Sequence, residues 1–170
     1  MDDQQLWNLA TVRLNRLLAA LPVGTGLMVT ELLSCYRQTK EAFAAIIAEI
    51  DATSACCECG GQCCLNGKYR INVFDALAHA AVQISVPADF SQKPLCPYGT
   101  DAGCAMVPGL RPADCVLFIC DAIDRRLSSQ ARLIIMGQEH DLREIIKTAS
   151  RLTGEQLGTP LLLWAEKSSS

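Results

Sequence analysis

Ten of the 170 residues are cysteine, and nine of those ten fall between Cys56 and Cys120. The densest stretch is Cys56-Cys57-Glu58-Cys59-Gly60-Gly61-Gln62-Cys63-Cys64, with five cysteines in nine residues. Two thiolates separated by two residues can bite one metal, because the turn between them aims both sulfurs inward. Gly60 and Gly61 let the chain turn tightly there. The adjacent Cys63 and Cys64 point in different directions in extended chain. They therefore suit two metals, or two corners of a larger cluster, better than one small ion. A second group follows at Cys96, Cys104, Cys115 and Cys120. Gly99, Asp101 and Gly103 suggest a turn between two short extended pieces, and the apolar run Val116–Ile119 can hold the flanking sulfurs of Cys115 and Cys120 in a dry site. Cys35 stands apart and is expected to be a packed thiol.

Four thiolates suit tetrahedral zinc, and they equally suit a [2Fe–2S] or [4Fe–4S] cluster. Eight would fill two such sites. A closed four-thiolate zinc site is structural, whereas an iron–sulfur cluster permits electron transfer. His79 and His140 are the only histidines. His79 is expected to be packed or at the surface and His140 at the surface, so no hydrolytic Cys/His/acid constellation is visible. Net charge is −3, which gives no bulk attraction to nucleic acid or an anionic membrane. The first residues, Met1-Asp2-Asp3-Gln4-Gln5, lack the positive start of a secretory signal. No apolar run is long enough to span a bilayer. A cytoplasmic setting is expected, and there clustered cysteines serve as metal ligands or redox thiols rather than in disulfides.

Helices must position these thiols. Trp7, Ala10, Leu14, Leu17 and Leu21 share one helical face. Pro22-Val23-Gly24-Thr25-Gly26 reads as a break, and Val29, Leu32, Tyr36, Phe43, Ile47 and Ile50 define a second helix, with Lys40 placed off its stripe. The short break predicts an antiparallel hairpin. Asn72 reads as a helix cap with Asp75 at the third position, followed by Phe74, Leu77, Ala78, Ala81 and Ile84. Residues 85–97 read as loop. A tail helix carries Leu127, Ile134, Ile135, Leu142, Ile145, Ile146, Ala149 and Leu152, with an interruption allowed at Gly137. Gly154 marks its end, Leu161–Trp164 forms an apolar patch, and Ser168–Ser170 is expected to fray.

The order of these cysteines resembles the YkgJ-type cysteine-cluster (CxxCxxCC) family of zinc- or iron-chelating proteins. Cys56-x-x-Cys59-x-x-x-Cys63-Cys64, Cys96-Pro97, Gly103-Cys104 and Arg111-Pro112-x-x-Cys115-x-x-x-x-Cys120 carry the resemblance, over roughly residues 55–125. It implies eight ligands: Cys56, Cys59, Cys63, Cys64, Cys96, Cys104, Cys115 and Cys120. Cys57 departs from the pattern. Arg111 is placed beside the site, where a guanidinium would lower thiol pKa and offset negative charge. Flagellin lysine methylases look similar around their cysteine cluster, but no nucleotide loop accompanies it here.

The resulting expectation is a mainly α chain: a helical hairpin and a C-terminal helix around a cysteine-rich, loop-rich metal-binding centre. It forms one domain over 1–170, with a hairpin at 1–54, a cysteine-rich segment at 55–120 and a helical tail at 121–170. The expected function is binding of zinc or an iron–sulfur cluster, with a redox role and, if catalytic, oxidoreductase activity in the second case. The alternative is a structural zinc module for protein interaction. Surplus apolar surface on the second helix and at Leu161–Trp164 leans toward a homodimer. The competing arrangement folds the tail back over the hairpin as a monomer.

Overall fold

A computed structural model describes residues 1–51, 64–65, 67–92, 96–100 and 103–167. The chain is mainly helical. Helix α1 spans Asp3–Ala20 and α2 spans Val23–Glu49. Helix α3 spans Val73–Ala81, followed by a two-residue pair of strands, β1 (Gly99–Thr100) and β2 (Gly103–Cys104). Short helices α4 (Ala113–Leu117) and α5 (Asp121–Asp124) lead into α6 (Ser129–Thr153) and α7 (Leu161–Glu166). Among the described residues, no helix is long and apolar enough to cross a membrane.

Local chemistry accounts for the helix boundaries. Asp2 and Gln5 form a reciprocal capping box at the start of α1, and Asn72 and Asp75 form another at the start of α3. Each satisfies backbone N–H groups that have no partner within the helix. The Ser128 hydroxyl accepts the Ala131 N–H at the start of α6. That helix ends at Gly154, whose φ of 73° is left-handed backbone that glycine adopts without a Cβ clash. It runs unbroken through Gly137. The break after α1 lies at Leu21 and Pro22, so Gly24 and Gly26 belong to the first turn of α2.

The expected hairpin is not the packing unit. Only two residues join α1 to α2, and each helix finds its main partner elsewhere: α1 lies against α7, and α2 lies along α6. The returning tail covers the apolar stripes that would otherwise face solvent. Leu161, Leu162 and Trp164 are buried within the chain, so this patch is not left over for a second copy. Arg13 stacks 3.8 Å above the Trp164 ring and donates to its carbonyl at 2.8 Å, fastening α7 to α1.

Helix α3 sits at the centre. Every residue from Val73 to His79 is buried, and a helix that is enclosed all round belongs to a core. Its first N–H groups are taken up by the loop after α6, with Val73 donating to the Thr159 carbonyl at 3.0 Å and Phe74 to Leu157 at 2.9 Å. Ala10, Leu14, Val29, Leu33, Tyr36, Phe74, Leu77, Leu142 and Ala149 meet around it. A smaller apolar cluster, Phe43, Leu127 and Ile135, closes the far end of α2 against α6.

Candidate functional site

Three of the expected ligands, Cys96, Cys104 and Cys115, are near enough for the first two to bear on the third. Cys96 opens a tight turn, in which Gly99 N–H donates to its carbonyl at 3.0 Å. Gly99 then pairs with Cys104 across the antiparallel strands β1 and β2. Cys115 is the third residue of α4. Burial pushes the Cys115 thiol well above its usual range, and the neighbouring sulfurs of Cys96 and Cys104 push it further. Those two contributions put the three sulfurs in one electrostatic neighbourhood. Cys115 itself is exposed to solvent. Burial and the Cys96 and Cys115 sulfurs also raise the Tyr98 hydroxyl.

Cys64 lies three residues before Gly67, and Gly67 is pressed onto Cys96. A Cβ added at Gly67 would stand 2.7 Å from both Cβ and Sγ of Cys96. Only glycine lets the Gly67–Tyr69 turn approach so closely. Cys120 stands at the N-cap position of α5 and packs against Ile123, as Ile47, Ile50 and Ile119 do. Cys35 is exposed on α2 rather than packed. Cys56, Cys57, Cys59 and Cys63 lie outside the described residues. Among the described residues, no three His, Cys, Asp or Glu side chains form a group that could hold a metal ion.

The guanidinium that bears on the thiols is not the expected one. Arg70 is the cation that lowers the Cys115 thiol, against the effect of burial. Arg111 instead donates through Nε to the Met106 carbonyl at 3.2 Å, bracing the loop from within. Arg70 stands just before the buried residues Ile71 and Asn72, a position without a spacing signal of its own.

Behind Cys115 is a buried polar group that the sequence reading missed. Lys40 and Asp75 have fully buried side chains, 3.2 Å apart. Lys40 Nζ also donates to the Arg111 carbonyl at 2.7 Å and lies 4.2 Å from the centre of the Tyr36 ring. The Tyr36 hydroxyl donates to Asp75 at 2.9 Å, and Ala113 N–H donates to the same carboxylate at 3.2 Å. His79 Nε2–H donates to the Leu110 carbonyl at 3.0 Å, which leaves Nδ1 buried with no hydrogen-bond partner. Burial lowers the pKa of Lys40, with Asp75 opposing the shift, and burial also lowers that of His79. Burial and Asp75 raise the Tyr36 hydroxyl. The sequence did carry a signal. Val29, Leu33, Tyr36, Lys40 and Phe43 are all buried on α2, at spacings of four, three, four and three. A lysine on that stripe must be paired.

Next to Asp114 an open cleft of about 590 Å³ runs along α6, lined by Arg143, Lys147 and Arg151 among others. Burial raises the Asp114 carboxyl, with Asp75 adding to the shift and Arg70 and Arg143 opposing it. His140 is exposed on the same helix, as expected. In comparisons with protein-family models, curated proteins and solved structures, nothing matches this chain.

Proposed function

We propose that the chain is a metal-binding protein that holds zinc or an iron–sulfur cluster through clustered cysteine thiolates, with electron transfer as its role if iron–sulfur is held. The observation that carries this reading is the placement of Cys96 and Cys104 on one antiparallel turn, with both sulfurs bearing on Cys115. Negative charge on Cys96 and Cys104 disfavours ionisation of Cys115. A cation bound among them reverses that penalty and releases their protons. Arg70 supplies part of the needed positive charge from the protein side. Cys56, Cys59, Cys63 and Cys64 are the donors proposed to complete one or two shells.

Metal analysis of protein purified without oxygen tests the reading. Bound zinc or iron in the wild type is expected, with content falling in Cys96→Ser and Cys115→Ser but not in Cys35→Ser. A chain that retains neither metal and takes up neither under reducing conditions overturns it. Equal loss from all three variants would trace to folding damage instead. The rival reading is a structural zinc module for protein interaction. It is favoured by Leu133, Ile134 and Met136, which α6 leaves exposed. Visible absorption separates the two, since iron–sulfur protein is brown and zinc protein colourless.

A further inference from the structure

We infer that Tyr36, Lys40, Asp75 and His79 act together as a backbone clamp that sets the position of Cys115. This deepens the metal-binding reading and rests on it for its purpose, although the clamp itself can be tested without metal.

The geometry is specific. Tyr36 and Lys40 stand one turn apart on α2, and Asp75 and His79 stand one turn apart on α3. Side chains four residues apart share a helix face. The four side chains converge on residues 110–113, just ahead of Cys115. His79 takes the Leu110 carbonyl, Lys40 the Arg111 carbonyl, and Asp75 the Ala113 N–H, while Tyr36 orients Asp75. Ala113 is the first residue of α4. Its N–H is one that no carbonyl inside the helix can satisfy, and a carboxylate at that end is also favoured by the helix dipole. The position of Asp75 therefore fixes where α4 starts, and Cys115 follows two residues later. Gly109 in the same loop lies against the flexible Glu41 side chain of α2.

Stability alone gives no reason for this arrangement. Taking an ammonium and a carboxylate out of water costs several kcal/mol per ion, and replacing such a pair by apolar residues of similar size is often neutral or stabilising. What a charged pair provides that a leucine pair does not is direction. Hydrogen bonds fix backbone atoms to within a few tenths of an ångström, whereas apolar contacts tolerate sliding. Fixed direction is what a thiol needs if it is to meet a metal alongside sulfurs from a different loop.

The test uses the full chain and the double variant Lys40→Met/Asp75→Asn, which removes both charges at once and keeps side-chain volume. The control is Leu14→Ala, a truncation of the same core in α1 that removes no polar group. Two readouts are taken: the rate at which iodoacetamide alkylates Cys115 in reduced, chelator-treated protein, followed by peptide mass spectrometry, and Co(II) affinity from the thiolate-to-metal absorption band. The double variant is expected to alter the alkylation rate and weaken Co(II) binding, each by about tenfold, while Leu14→Ala loses thermal stability without either change. Wild-type rate and affinity in the double variant would overturn the clamp, as would a Leu14→Ala variant that reproduces both changes. If the wild type gives no thiolate–Co(II) band, the metal reading falls, and the alkylation rates still decide the clamp.

Discussion

The C-terminal end and the middle of α2 are held to the rest of the molecule by different physics. Its C-terminal half packs Phe43 against Leu127 and Ile135, with Ile46, Ile47 and Ile50 at the margin. Its middle presents Tyr36 and Lys40 to a carboxylate and a backbone carbonyl. The apolar end gains free energy with area and is nearly indifferent to small displacements. The polar centre gains little net free energy, yet each of its groups is expensive to leave without a partner. The apolar end supplies adhesion, and the middle supplies registry for the loop that carries Cys115.

That contrast breaks most clearly when one partner of the buried pair is removed. Lys40→Met leaves the Asp75 carboxylate enclosed without its cation, and breaking such a pair costs about 3–5 kcal/mol. Adding Asp75→Asn is expected to return most of that loss, because no lone charge is left behind. At the apolar end, Ile135→Val removes one methylene from a buried site and should cost about 1 kcal/mol, with no second change able to rescue it. Urea midpoints for the three variants check this. A double variant no more stable than Lys40→Met would mean that the pair acts through packing rather than charge.

Acid sharpens the same contrast. Burial depresses the His79 pKa below its ordinary value near 6.5. Above that value His79 is neutral in both states and its contribution to folding is complete. As pH falls below it, the unfolded chain takes up a proton that the folded chain resists, so stability drops. The loss continues until the depressed folded value is reached and then levels off. Thermal melts from pH 8 to 5 should therefore show a falling Tm, with a shallower slope in His79→Gln. Parallel slopes in the two proteins would assign the loss to other groups.

How much of this was legible depended on the kind of force involved. The capping box at Asn72 and Asp75 and the stop at Gly154 could be read from the residues, because they act over three or four positions. The stripe on α1 could be read for the same reason. The partners of α1 and α2 could not, because α7 reaches α1 from the far end of the chain, and no local period encodes that return. Among the thiols, Cys96 and Cys104 bear on Cys115, while Cys56, Cys57, Cys59 and Cys63 lie outside the described residues. Arg111 looked like the cation of the site because it stands in the same motif. The chain turns its side chain back to Met106 and brings Arg70 in from another segment. Lys40 reads as off the stripe of α2, and the regular spacing of its buried neighbours carried the contrary information.

The smallest effect is expected where the ion pair is shortest. Arg143 and Glu139 on α6 approach to 2.7 Å, closer than Lys40 and Asp75 at 3.2 Å. Their side chains are 68% and 42% exposed, while those of Lys40 and Asp75 are 0% exposed. Water screens the outer pair, and holding two long side chains together costs rotamer entropy, so such i,i+4 pairs are worth about 0.3–0.5 kcal/mol. Glu139→Gln should lower stability by no more than that amount, and the difference should vanish in high salt as the screening length shrinks. Lys40→Met should keep nearly its whole effect under the same conditions, because mobile ions do not enter its site. Urea unfolding of both variants at low and at molar salt measures the two behaviours side by side. A strong salt dependence for Lys40→Met would mean that solvent reaches the pair, and the distinction drawn between adhesion and registry on α2 would then fail.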